Sequence, residues 1–176
     1  MAGAADWIIR EASSDADFDA FGRQCLAYTD WCRARYADLP WLVEMVFGFQ
    51  SLEAELRDLR RKYAPPDGRT LVLERDGVIT GAGAFRRLSD EICELKRVFV
   101  SETMRGTGAG RALTLALIDQ TRTDGFIAMR LDTGDRFTEA LALYRSIGFE
   151  PIAPYLQYPP QLMPHMRFLE LSLLAR

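Results

Sequence analysis

A chain of 176 residues falls in the size range of one domain and can bury an apolar core without help from metals or disulfides. Its 48% hydrophobic and 27% charged residues are those of an ordinary globular protein, and its net charge of −3 excludes the dense Lys and Arg contacts that tight binding to a phosphate backbone requires. Apolar runs stay well short of the ~18 residues that span a bilayer, Asp6 follows closely on Met1 where a leader would be basic and then apolar, and Cys25, Cys32 and Cys93 form no Cys-x-x-Cys pair. The expectation is a single cytoplasmic domain over residues 1–176, monomer or homodimer, with free thiols, no metal, and neither membrane nor nucleic acid as partner.

Trp7 to Glu11 reads as a first strand, and Ser13-Ser14-Asp15 as a helix start before Phe18, Phe21, Cys25 and Tyr28 at helical spacing. A second helical region runs from Trp41 to Tyr63, broken near Gly48, until Pro65-Pro66-Asp67-Gly68 forces a loop. The basic run Arg60-Arg61-Lys62 at its end reads as a solvated face. Thr70 to Glu74 and Val78 to Phe85 are β-type runs joined by Asp76-Gly77, a hairpin signal, and Ile92 to Val100 is a third strand. A helix follows to Gly125, then a strand from Ala128 to Thr133, a helix through Ala140, Leu143, Tyr144 and Ile147 to Gly148, and closing strands Phe149 to Ile152 and Phe168 to Leu173. This order mixes antiparallel neighbours with crossovers, so it predicts an α+β fold with a mixed sheet.

Two stretches carry chemistry. In the first, the strand ending at Val100 runs through Arg105-Gly106-Thr107-Gly108-Ala109-Gly110-Arg111 directly into a helix. Alternating glycines let the backbone approach a ligand, and the unpaired N–H groups of a helix start attract an anion such as a pyrophosphate. The spacing fits neither a P-loop, which needs Gly-Lys-Ser/Thr, nor the G-x-G-x-x-G dinucleotide turn. In the second, Ala140 to Phe149, Tyr144 lies on the helix's apolar stripe and reads, on that helix alone, as a core aromatic.

Together and in this order, the two stretches resemble the GNAT superfamily of N-acetyltransferases over roughly residues 70–149. The family's acyl-CoA signature, Gln/Arg-x-x-Gly-x-Gly/Ala, is matched by Arg105, Gly108 and Gly110; its downstream pattern, Ala-x-x-Leu-Tyr-x-x-x-Gly-Phe, is matched by Ala140, Leu143, Tyr144, Gly148 and Phe149. The run Glu94 to Val100 with Leu131-Asp132-Thr133 is similar to a group of bacterial members. The resemblance implies a central pair of strands that splay apart. Acetyl-CoA would enter that slot, with its pantetheine arm beside Val98, Phe99 and Val100 and its pyrophosphate on Arg105, Gly106, Thr107, Gly108, Ala109, Gly110 and Arg111. One position departs from the pattern: Phe137 stands where members often carry Asn.

The implied reaction is transfer of the acetyl group from acetyl-CoA, a cosubstrate, to a primary amine of a small molecule by direct attack in a ternary complex. A protein N-terminus or lysine as acceptor, or a CoA-binding sensor without turnover, is the alternative. An amine of pKa ~10.4 is mostly protonated at neutral pH, so a base helps; the resemblance points to Glu94, with Glu91 and Asp132 behind it. Tyr144, a phenol of pKa ~10, suits the proton donor to the leaving thiolate, and the Val98 N–H the polarisation of the thioester carbonyl. Lone His165 has neither ligand spacing nor a nucleophile beside it and reads as a packing or solvated residue.

Overall fold

Ser14 starts the first long helix through a capping box. Its hydroxyl accepts from the Asp17 N–H while Asp17 accepts from the backbone of Ser14, and α1 then runs Asp15–Arg35. It follows strand β1, Trp7–Glu11, in the computed structural model, which describes residues 6–174; the sequence reading of the first five residues lies outside this range. The helical region expected to break once near Gly48 is instead three helices, α2 (Pro40–Phe49), α3 (Leu52–Arg57) and α4 (Leu59–Tyr63). Gly48 sits inside α2. The breaks come at Ser51, which adopts φ 55°, and at Asp58, whose carboxylate caps α4 by accepting from the Arg61 N–H. The basic run at the end of α4 is also less uniform than a solvated face, because the Lys62 ammonium turns inward onto the buried carboxylate of Glu55.

Among the described residues, seven strands form one sheet in the order β1-β2-β3-β4-β5-β7-β6. The hairpin of β2 (Gly68–Arg75) and β3 (Val78–Arg87) turns on Asp76 and Gly77, both at positive φ, as an Asp-Gly turn requires. β4 (Ile92–Val100) pairs antiparallel with β3 on one side and parallel with β5 (Ala128–Gly134) on the other; β6 (Glu150–Pro151) and β7 (Met166–Ser172) close the far edge. The mixed sheet and the element order are those read from the sequence.

Helices cover both faces. α5 (Ala109–Thr123) buries Leu113, Leu117 and Ile118 against Phe85, Leu95 and Met129, while α1 and α4 bury Phe21, Cys25 and Tyr63 against Val72, Ala82 and Ala84. Each large apolar side chain fully buried this way contributes ~1.5–3 kcal/mol. α6 (Thr138–Ile147) ends at Gly148, which takes φ 114°.

Two irregularities place the site. The β4–β5 ladder holds only over Ile92 to Glu94 against Ala128 to Arg130, after which the strands part. On its other side β4 carries a bulge: Ala84 faces Lys96 and Ala82 faces Phe99, so Arg97 and Val98 together oppose Gly83. A Cβ at Gly83 would lie 2.8 Å from Leu117 Cδ1 and 3.1 Å from Val98 Cγ2, so glycine there leaves room for those two side chains.

Candidate active site

Where β4 and β5 part, two cavities open and meet. The larger, about 410 Å³, follows the free edge of β4 past Val98, Phe99 and Val100 to Arg105, Gly106, Gly108, Gly110 and Arg111. Beyond Glu94 that edge has no strand partner, so an extended amide-bearing chain can add to it as a further strand would.

At the far end the chain leaves β4 and enters α5 through Gly106 and Gly108, at φ 75° and 86°. Among the described residues, the N–H groups of Gly106, Thr107, Gly108, Gly110 and Arg111 meet no acceptor. Free N–H groups at the start of a 15-residue helix form an anion cradle. Thr107 and Ala109, read from the sequence as part of it, do not line the cavity. The Thr107 hydroxyl donates to the Met104 carbonyl and accepts from the Ala109 N–H, and Ala109 is buried against Leu73 and Met104, so these two shape the loop. Arg105 lays its guanidinium over the rings of Trp31 (5.4 Å) and Phe99 (5.9 Å) at the cavity wall. Phe137, the departure from the family pattern, stacks on Trp31 at 4.9 Å and borders both cavities; it offers a hydrophobic wall where an amide side chain would offer hydrogen bonds.

The smaller cavity, about 80 Å³, lies between β4, β5, α1 and α2. At ~10–15 Å³ per water on this measure it holds several waters or one compact molecule. Tyr28, Val98, Thr133, Phe137 and Tyr144 border both spaces, so the two communicate at that point. Tyr144 is fixed there by the end of α6: the Phe149 N–H returns to the Tyr144 carbonyl at 3.0 Å, and the two rings meet edge to face at 5.5 Å. This gives the Tyr-x-x-x-Gly-Phe spacing its mechanical meaning. The Tyr144 hydroxyl has no hydrogen-bond partner among the described residues, and burial together with the Asp132 charge pushes its pKa up to about 12.

Glu94 is not where the sequence reading needs it. Its side chain is 0% exposed, Oε2 accepts from Arg86 Nε at 2.7 Å, Oε1 accepts from the Tyr155 hydroxyl at 2.9 Å, and it borders neither cavity. Glu91 is exposed in the turn before β4. The carboxylate that does border the smaller cavity is Asp132, which accepts from Lys96 Nζ (2.8 Å), the Tyr158 hydroxyl (2.7 Å) and Gln50 Nε2 (3.2 Å). Burial opposes its ionisation, but the charge and hydrogen bond of Lys96 prevail and hold it below the usual carboxylate range. His165 lies apart from both spaces, edge-on to Trp41.

Tyr28, Gln50, Lys96 and Arg97 also line the smaller cavity, and none was singled out by sequence. Tyr28 sits on the apolar stripe of α1, which marks it only as core. Lys96 and Arg97 are consecutive on a strand whose bulge has no sequence signature. All three cysteines are buried; burial raises each thiol to about 12, so they stay protonated and unreactive at neutral pH. No helix among the described residues is long and apolar enough to cross a membrane.

Residues 26–149 match the model of the acetyltransferase (GNAT) family, a span that begins upstream of the motif-bearing segment. An uncharacterised N-acetyltransferase of Schizosaccharomyces pombe is 36% identical over 126 residues, 70% of this chain and 77% of that protein. An IAA acetyltransferase of Azospirillum brasilense is 39% identical over 98 residues, 55% of this chain and 64% of that protein. In structure, an acyl-CoA N-acyltransferase from Klebsiella pneumoniae superposes over 97% of this chain and 100% of its own with a TM-score of 0.73 at 24% identity, which speaks to the fold. The chain belongs to the acetyltransferase (GNAT) family and is an acetyl-CoA-dependent N-acetyltransferase.

Proposed function

We propose that this enzyme acetylates the primary amine of a small molecule by direct attack in a ternary complex, with the cofactor in the larger cavity, the acceptor in the smaller, and the reacting centre where they meet at Tyr144. The observation that carries the reading is this junction: a phenol with no partner among the described residues stands between an anion cradle with a free strand edge and a narrow space of about 80 Å³. So small a space suits a compact amine better than a polypeptide substrate.

In this reading the pyrophosphate takes the free N–H groups from Gly106 to Arg111, and the pantetheine amides pair with the β4 edge at Val98 to Val100. The neutral amine attacks the thioester carbonyl, whose oxygen draws on the Val98 N–H. As the C–N bond forms and the C–S bond breaks, the Tyr144 hydroxyl gives its proton to the departing sulfur, and the proton released from nitrogen restores it. Glu94 takes no part, being sealed off by Arg86 and Tyr155. Asp132, held ionised, stabilises positive charge on the amine but does not take its proton at neutral pH, so the amine sheds that proton to water.

The test is release of free CoA over a panel of amines. Turnover by at least one small primary amine is expected, and exclusive turnover of peptide N-termini or protein lysines would overturn the small-molecule reading. Two further outcomes follow. Gly108→Glu forces a side chain onto a residue at φ 86° and places a negative charge at the cradle, so it should abolish acetyl-CoA binding in calorimetry. Saturating acetyl-CoA at 100 Kd should stabilise the wild type by ~2.7 kcal/mol and the variant not at all; equal affinity in both removes the pyrophosphate from this loop. Glu94→Gln should lower the melting temperature, because it weakens buried ion pairs with Arg86 and Lys96, yet leave kcat/KM rising with pH about tenfold per unit below the pKa of the amine. If instead the wild type is level with pH over that range and Glu94→Gln both loses roughly 10²-fold or more in kcat/KM at neutral pH and acquires the slope, the base is Glu94 after all.

A further inference from the structure

Neighbouring residues on a regular strand face opposite sides, yet Lys96 and Arg97 turn into one network: Lys96 Nζ donates to Asp132, and Arg97 Nη1 donates to Gln50, which itself donates to Asp132. The bulge accounts for this. Arg97 adopts φ 57°, a conformation uncommon for a residue with a Cβ and concentrated at ligand clamps and active sites, and the strand is re-aimed there.

The charges around this cavity do not balance. Its wall carries two cations, Lys96 and Arg97, and one carboxylate, Asp132. In the wider network Lys62, Arg86, Lys96 and Arg97 are paired with Glu55, Glu94 and Asp132, which again leaves one positive charge over. The hydrogen bonds show which donor is left over. Arg97 Nε donates to Glu55 Oε1 and Nη1 donates to Gln50 Oε1, both at 2.8 Å, while Nη2 is buried and has no partner among the described residues. Arg97 as a whole is 7% exposed. An open guanidinium N–H away from water is costly to leave unmade, and the planar fork of Arg is the side chain that best matches a carboxylate. The remaining wall is apolar, with Leu42, Val43, Val46, Phe47 and Met166.

We propose that the acceptor is a free amino acid with an apolar side chain, its carboxylate held by Arg97 with Lys96 beside it and its amino group turned to the thioester at Tyr144. This rests on the acetyl-transfer reading above and names the substrate class for the same site. The carboxylate supplies the missing negative charge, and the apolar wall receives the side chain.

Matched acceptors test this on the wild-type enzyme without any variant. For valine, leucine, methionine and phenylalanine, CoA release is compared between the free acid, its carboxamide, and the amine lacking the carboxyl group. At least one free acid should exceed both its analogues by 100-fold or more in kcat/KM, because the analogues leave the Nη2 donor of Arg97 without an acceptor. Arg97→Gln should collapse that preference to within a few-fold while the KM for acetyl-CoA stays within a few-fold. Should that variant fail to fold, the wild-type comparison decides alone. If amides and plain amines react as well as the acids, the carboxylate anchor is wrong while acetyl transfer stands. If acetyl-CoA binds but none of these acceptors reacts, calorimetry of 4-methylpentanoate on the CoA complex decides: saturable binding supports the anchor, and none overturns it.

Discussion

Tyr144→Phe should keep acetyl-CoA affinity within a few-fold and lower kcat by roughly 10²–10⁴, the range for loss of a general acid. The substitution preserves the ring, its edge-to-face contact with Phe149 and the wall of both cavities, and deletes only a hydroxyl that bonds to no described residue. Because no hydrogen bond is broken, stability should change by less than the ~1 kcal/mol that one costs. A core aromatic would give the opposite pattern, with turnover intact. The pH profile sharpens the comparison. A phenol raised to about 12 stays protonated across the working range, so the wild-type kcat should show no descending limb below about pH 11, where an unperturbed tyrosine would begin to fail near 10. Full activity in Tyr144→Phe would move the acid elsewhere, and Tyr28, which borders the same junction, is the next residue to change.

The sequence carried the fold and the glycine-rich loop of the larger cavity far better than the lining of the smaller one, and the reason is physical. Gly106, Gly108 and Gly148 occupy positive φ, where the backbone dictates the residue type, so the loop and the end of α6 print themselves in the sequence. Asp76-Gly77 does the same for the β2–β3 hairpin. The smaller cavity, by contrast, is assembled from α1, α2 and two diverging strands that are distant in the chain. Tyr28 and Phe47 on their helices look like any core residue. Arg97 reaches positive φ without being glycine, a feature set by the surrounding packing and invisible in composition or periodicity. For Glu94 the resemblance suggested a role, but whether a strand carboxylate faces a cavity or is taken up by neighbouring donors depends here on Arg86 from β3 and Tyr155 from the segment between β6 and β7.

Glu55→Gln should be among the most destabilising single changes in the chain, by ~3–5 kcal/mol, a large share of the ~5–15 kcal/mol that holds a domain together. The Glu55 side chain is 1% exposed on α3 and accepts from Arg97 Nε at 2.8 Å and from the Tyr63 hydroxyl at 3.0 Å, with Lys62 Nζ on its other oxygen. Glutamine keeps the shape but removes the charge, and leaves the Arg97 guanidinium buried without its anion. Burial opposes ionisation of Glu55, yet the Arg97 charge and the hydrogen bonds from Arg97 and Lys62 outweigh it and bring its pKa down to about 2. A carboxylate lowered on folding stabilises the native state above its unfolded pKa, near 4.5, and loses that contribution as pH falls through about 2, because the unfolded chain binds the proton first. The shift is worth roughly 3 kcal/mol at neutral pH, in line with the cost of breaking the pair. Urea denaturation at pH 7 and at pH 3 should therefore give a wild type that weakens between the two and a variant whose deficit shrinks at the lower pH. Replacing Arg97 by Met in the Glu55→Gln background should recover much of the loss, since it removes the stranded charge, although Arg97→Met alone would leave Glu55 with Lys62 as its remaining cation partner. A deficit under 1 kcal/mol, unchanged by pH, would mean that Glu55 is not what holds Arg97, and the bulge would need another support.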